Sequence, residues 1–297
     1  MKILLLGKNG QVGWELQRAL APLGELLALD RSQADLSEPE SLRAVITDFK
    51  PNWIVNAAAY TAVDKAEDEK DLAYTVNADS VGVLAEEALK LNAWLIHYST
   101  DYVYDGDKQG EYVETDDVNP LSVYGKSKLA GENRIREVGC KYLIFRTSWV
   151  FAAKGNNFAK SMMNLAKDRN ELKIVADQFG APTSAELIAD VTSFCIQRLI
   201  GMNEQLSNDR VGTYHLVSDG KATWHSYAQY VISKATSLGE RYSVSTQSIL
   251  PITTDEYPLP AVRPKNSKLS TDKLKESFGI SLPHWSMYVD RMLEEII

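Results

Sequence analysis

Tyr124 and Lys128 stand four residues apart in VYGKSKLAGE, so on a helix they share one face and can aim a phenol and an ammonium at one spot. Lys126, two residues from Tyr124, faces elsewhere. The pair suits acid catalysis on a carbonyl. A free tyrosine has a pKa of about 10, and a neighbouring cation favours the phenolate and lowers that value. Thr100 follows the apolar run at residues 94–97, and its hydroxyl can offer the same oxygen a second hydrogen bond. Such a pair also arises by chance on many helices, so its meaning depends on a cofactor site elsewhere in the chain.

One candidate lies at the start. The apolar run at 3–6 leads into Gly7-Lys8-Asn9-Gly10-Gln11-Val12-Gly13, and residues 14–20 have helical character. Strand, glycine turn and helix in that order are the context of a dinucleotide fingerprint. The glycines let pyrophosphate approach the backbone, and the helix start supplies N–H donors. The spacing is Gly-x-x-Gly-x-x-Gly rather than Gly-x-Gly-x-x-Gly. A second strand at 26–29 ends at Asp30, where a carboxylate accepts ribose hydroxyls, while Arg31 beside it suits a ribose phosphate. The two pull in opposite directions, which predicts use of both NADPH and NADH.

These residues need a sheet to bring them together. A third strand at 53–55 ends in Asn56-Ala57-Ala58-Ala59, small residues that leave room for a cofactor or for helix–sheet packing. A helix at 72–91 leads to the strand before Thr100, and a strand at 142–145 ends near Trp149. Five strand–helix alternations predict an α/β fold, a doubly wound parallel sheet of Rossmann type. Gly7, Asp30, Ala57, Thr100 and Trp149 then all fall at strand carboxyl ends, where such sheets bind ligands. Residues 1–150 read as the dinucleotide-binding domain. Residues 151–297 read as a smaller substrate-binding lobe interwoven with it, with helices at 157–167, 185–199, 224–235 and 283–297. Short strands are expected at 173–176 and 213–216, and the four prolines of 250–264 exclude regular helix there.

The chain of 297 residues carries a net charge of −8, which argues against a nucleic-acid surface and against anionic membrane. No apolar run reaches the length of a membrane span, and the N-terminus lacks the basic start of a signal peptide. Cys140 and Cys195 show neither metal spacing nor a disulfide framework, so reduced thiols and a cytoplasmic location are expected.

Taken together, the glycine turn, the strand ending Ser99-Thr100-Asp101 and Tyr124-x-x-x-Lys128 resemble the extended short-chain dehydrogenase/reductases. More narrowly, VNAAAYTAVDKAE at 55, HYSTDYVY at 97, RTSWVF at 146, DQFGAPTSAELIAD at 177 and RPKNSKL at 263 resemble the dTDP-4-dehydrorhamnose reductase family over nearly the whole length. The resemblance implies reduction of the 4-keto group of dTDP-6-deoxy-L-lyxo-4-hexulose by NADPH or NADH. That is the last step towards dTDP-L-rhamnose for cell-surface polysaccharide such as lipopolysaccharide O-antigen. It implies Tyr124 as proton donor, with Lys128 and Thr100 completing the triad. Gly7, Gly10, Gln11, Val12 and Gly13 would cradle the pyrophosphate, with Asp30, Arg31, Asp35 and Leu36 further along the cofactor. Ala57, Ala58, Ala59 and Tyr60 would line its channel. Val63, Asp101, Tyr102 and Trp149 would enclose the sugar, and Arg263 would anchor the diphosphate or nucleotide end. Some family members hold magnesium at a homodimer interface, which here implies Glu15, Glu186 and Glu295.

Two rivals remain at this level. An epimerase or dehydratase of nucleotide sugars shares fold and triad, but in dehydratases an aspartate and a glutamate follow the threonine, and here Asp101 is followed by Tyr102. A dinucleotide-binding regulatory subunit would not need the intact Thr100, Tyr124 and Lys128.

Overall fold

The computed structural model describes residues 1–297. Its first half alternates β1 (Lys2–Leu6), α1 (Gln11–Leu20), β2 (Glu25–Leu29), α2 (Ser41–Phe49) and β3 (Trp53–Asn56). A long helix follows in pieces, α3 (Lys70–Tyr74), a π-helical turn at Thr75–Asp79 and α4 (Ser80–Lys90). Then come β4 (Trp94–Thr100), α5 (Val123–Val138) and β5 (Lys141–Thr147). The second half holds β6 (Val150–Phe151), α6 (Phe158–Asp168), β7 (Leu172–Val175), β8 (Phe179–Gly180), β9 (Thr183–Ser184) and α7 (Ala185–Ile200). After them run α8 (Glu204–Asn208), β10 (Gly212–His215), β11 (Ala222–Thr223), α9 (Trp224–Ser237), β12 (Ile249–Ile252), α10 (Asp272–Phe278) and α11 (Trp285–Ile296).

Six strands form one parallel sheet in the order β10-β5-β4-β3-β1-β2. β3 and β4 are buried at every position, so their sequences show apolar runs rather than alternation. One apolar core covers the face packed by α1, α6, α7, α9 and α11; a second covers the face under α2, α4 and α5. The strand order reverses between β1 and β3, which opens a crevice above their carboxyl ends.

The strand expected at 213–216 is β10, and it pairs with β5 as the sixth strand of the main sheet. Likewise α7 packs along α1. Residues from the second half therefore complete the sheet and one helical layer of the first. The helix expected at 72–91 contains the π turn, which brings the backbone of Asn77 against α5. A Cβ on Gly131 would lie 2.1 Å from the Asn77 carbonyl oxygen, so only glycine fits there. The closing helix begins after Pro283, capped by His284, whose Nδ1 accepts from the Ser286 N–H. In the proline-rich stretch the chain forms β12 and a 3-10 turn at Thr254–Glu256. No helix is long and apolar enough to cross a membrane.

Candidate active site

A cleft of about 850 Å³ opens above the carboxyl ends of β1, β3, β4 and β5. Its floor is the glycine turn. Gly7 has φ +84°, and a Cβ there would meet the Ala58 nitrogen at 2.7 Å. A Cβ on Gly13 would sit 2.0 Å from the Gly7 carbonyl oxygen, so α1 presses directly on the turn. Gly7, Gly10, Gln11 and Val12 line the cleft, while Gly13 supports it from behind. The turn is thus packed too closely for side chains, and its backbone, open to the cleft, fits the pyrophosphate of a dinucleotide.

Asp30, Arg31, Asp35 and Leu36 line one end of the same cleft. The Asp30 carboxylate accepts from the Ser32 hydroxyl at 2.6 Å and lies 3.4 Å from Lys8 Nζ, and these contacts hold its pKa below the usual range. Arg31 is largely exposed and paired with Asp35 at 3.0 Å. Ala57, Ala58, Ala59, Tyr60 and Val63 line the next wall. Tyr60 is fixed by Asn77, whose side chain accepts from the Tyr60 N–H at 2.9 Å and donates to its carbonyl at 3.0 Å. The same amide donates to Ser127 Oγ on α5, which tethers that helix to the wall.

Thr100, Tyr124 and Lys128 meet in the cleft as their spacing predicts. Lys128 is 1% exposed, whereas Lys126 points to solvent. Ser122 caps α5 by accepting from the Gly125 N–H, and a Cβ on Gly125 would strike the Tyr102 carbonyl oxygen at 2.2 Å. One turn beyond Lys128, the buried Glu132 accepts from Arg146 at 2.9 and 2.6 Å and from Ser99 Oγ at 2.5 Å. These bonds lock α5 to β4 and β5, and so fix where Tyr124 and Lys128 sit.

The electrostatics correct one expectation. Lys128 Nζ lies 2.6 Å from the Tyr98 carbonyl oxygen and 3.2 Å from His97 Nε2, not on the phenol. Burial lowers its pKa to about 8, partly offset by Glu132. Tyr124 keeps part of its ring open to the cleft, yet burial pushes its pKa up to about 12; the Thr100 hydroxyl pulls it down and Asp101 pushes it up. In this arrangement the Lys128 nitrogen rests on the Tyr98 carbonyl, and burial keeps the phenol protonated.

Asp101 accepts from Thr100 Oγ1 at 3.1 Å, and its Oδ2 is buried without a partner. Burial raises its pKa to about 6, and the nearby Ser267 and Thr100 hydroxyls pull against that rise. Tyr102 packs edge-on against Tyr124, ring centroids 5.5 Å apart. Trp149 sits in the left-handed region, φ +49°, stacked on Trp224 at 3.6 Å. A Cβ on Gly180 would lie 2.7 Å from the Trp149 ring, so the indole is clamped from both sides. Trp224 also lines the cleft, and no spacing in the sequence pointed to it.

Two groups of expected residues do not line the cleft, although Arg263 sits beside Tyr102, which does. Arg263 is not part of the cleft lining; both its terminal nitrogens bind Asp64, at 3.0 and 2.7 Å. Glu15 pairs with Arg18 at 3.4 Å and Glu186 with Arg291 at 2.8 Å, outside the cleft. No three carboxylates, histidines or cysteines come together as a metal site, so within one chain Glu15, Glu186 and Glu295 do not fit magnesium.

The family model for the RmlD substrate binding domain matches residues 1–297. A dTDP-4-dehydrorhamnose reductase of Escherichia coli (strain K12) is 50% identical, over 100% of this chain and 98% of its own. The chain belongs to the dTDP-4-dehydrorhamnose reductase family. Solved structures of members agree in fold. That of a Clostridium acetobutylicum dTDP-4-dehydrorhamnose reductase has a TM-score of 0.89 at 36% identity, covering 100% of this chain and 99% of that one. A Bacillus anthracis dTDP-4-dehydrorhamnose reductase in complex with NADP has a TM-score of 0.87 at 34% identity, covering 99% of both chains.

Proposed function

We propose that the protein reduces the 4-keto group of dTDP-6-deoxy-L-lyxo-4-hexulose to give dTDP-L-rhamnose, with NADPH or NADH as reductant. The observation that carries this is the convergence of Thr100, Tyr124 and Lys128 on the cleft whose floor is the Gly7–Gly13 turn. When bound, the nicotinamide cofactor supplies a hydride. The chain's own residues do the rest. Tyr124 gives its proton to the C4 oxygen, and the Thr100 hydroxyl, already close enough to lower the phenol's pKa, steadies that oxygen. Trp149, Tyr102 and Val63 form the walls that hold the sugar and exclude water. Arg263 reaches the diphosphate end by exchanging Asp64 for it. Asp30 and Arg31 face opposite choices at the ribose, which supports use of both cofactors.

The finer parts of the reading are a cytoplasmic homodimer, magnesium between two copies, and a role in polysaccharide synthesis. Support for the dimer is positional. Glu15 on α1, Glu186 on α7 and Glu295 on α11 lie on packed neighbouring helices, away from the cleft.

The test is NADPH oxidation, followed by absorbance, with the 4-keto-6-deoxy sugar nucleotide. Stoichiometric oxidation is expected, and dTDP-glucose should not react, because Tyr102 stands where a dehydratase has its glutamate. A 4-keto product from dTDP-glucose, without net cofactor use, overturns the assignment.

A further inference from the structure

A buried polar chain behind α5 has no part in the mechanism so far. Asn56 and His97 face each other in register across β3 and β4, and His97 is completely buried. The Ala58 N–H can only donate, so the Asn56 atom 3.1 Å from it is Oδ1. That leaves Nδ2, a donor, 3.2 Å from His97 Nδ1. A neutral imidazole accepting at Nδ1 carries its proton on Nε2. Burial, with Lys128 adding to it, holds the His97 pKa well below its ordinary value, so the ring is neutral. Nε2–H then points at Lys128 Nζ, 3.2 Å away. An ammonium has no lone pair to accept that bond; a neutral amine does, and it can still donate to the Tyr98 carbonyl at 2.6 Å.

We propose that Asn56 and His97 are positioning residues that set the protonation of Lys128, favouring its neutral amine through a fixed amide and a fixed imidazole tautomer. The other groups facing the lysine do not override this. Glu132, one turn along α5, favours the ammonium, but its carboxylate is taken up by Arg146, Arg136 and Ser99. Tyr124 on the same helix is a protonated phenol, and Asp101 beyond β4 gives its Oδ1 to Thr100.

What the proton does rests on the reductase reading. After Tyr124 gives up its proton, a charged Lys128 stabilises the phenolate and a neutral one does not, so turnover falls as pH rises through the lysine's pKa, about 8. Raising that pKa moves the alkaline limb of the pH profile upward.

The experiment uses the purified full chain and two NMR readouts that need no turnover. Histidine labelled with an NMR-active nitrogen reports the tautomer, and loss of one signal in His97→Gln assigns it among the four histidines. Labelled lysine reports the titration of Lys128, assigned by Lys128→Met. In Asn56→Asp the new carboxylate keeps the Ala58 bond but accepts from Nδ1–H, which turns Nε2 into an acceptor for an ammonium. The expected results are an Nε2–H tautomer in the unsubstituted protein and a Lys128 midpoint raised by at least about one pH unit in Asn56→Asp, with the alkaline limb of kcat/KM for the keto sugar moving by the same amount. An Nδ1–H tautomer in the unsubstituted protein, or an unchanged midpoint in folded Asn56→Asp, overturns the proposal. Both NMR results without turnover of the keto sugar would instead overturn the reductase reading alone.

Discussion

Burial keeps the Tyr124 phenol in its protonated form at neutral pH, the form a proton donor needs, although a pKa nearer the working pH would ease the transfer. Because burial raises its pKa to about 12, the phenol is fully protonated across the physiological range. Tyr124→Phe is therefore expected to leave NADPH binding unchanged while turnover falls about a hundredfold or more, which fluorescence titration and single-turnover kinetics would show. Asp101 makes the opposite kind of demand. Its folded pKa, about 6, exceeds that of an ordinary aspartate, so the fold loses stability as pH rises from about 4 through 6 and stays lower above that. The full penalty is about 3 kcal/mol. The Tm of Asp101→Asn should match that of the unsubstituted protein near pH 4 and exceed it by several degrees at pH 8; a gap that does not change with pH would refute this. At this scale the sequence revealed Thr100, Tyr124 and Lys128, because helical spacing alone puts the last two together. It did not reveal His97 or Asn56, since their contact comes from strand register, and a lone histidine in an apolar run carries no such signal. The pairing of Arg263 with Asp64 was equally hidden, the two being 199 residues apart.

At a few points helices here meet neighbouring backbone directly, without a side chain between them. Gly13 lies against the Gly7 carbonyl, Gly125 against the Tyr102 carbonyl and Gly131 against that of Asn77, each where a Cβ would come within about 2 Å. α1 and α5, two of the helices bordering the cleft, can approach this closely because those side chains are absent. Gly13→Ala should weaken NADPH binding at least tenfold by pushing α1 off the turn, with little loss at Gly139, where a Cβ would meet nothing within 4 Å but φ is +73°. Equal cofactor dissociation constants for Gly13→Ala and the unsubstituted protein would show that the turn tolerates the shift. Periodicity made the first five strands and their helices legible. The π turn at Thr75–Asp79 was not read from it.

The carboxylates of Glu15, Glu186 and Glu295 belong to the scale of the whole molecule, because one chain does not gather them. If a second copy and magnesium do, a chelator should shift the sedimentation coefficient from dimer to monomer while leaving NADPH binding intact; one unchanged species in both conditions would sink the idea. The sheet has a further property at this scale. Its order places β10, the last of its strands in sequence, against β5, with β4 on the other side. A ribosome delivering this chain exposes β5 long before Gly212–His215 appears, so the growing sheet carries an unpaired hydrogen-bonding edge for more than sixty residues of synthesis. At about 5–20 residues per second that interval lasts several seconds, long enough for a neighbouring nascent chain or a chaperone to compete for the edge. The price of weaving the second half into the first is thus a window of vulnerability during birth, closed only when the sixth strand arrives.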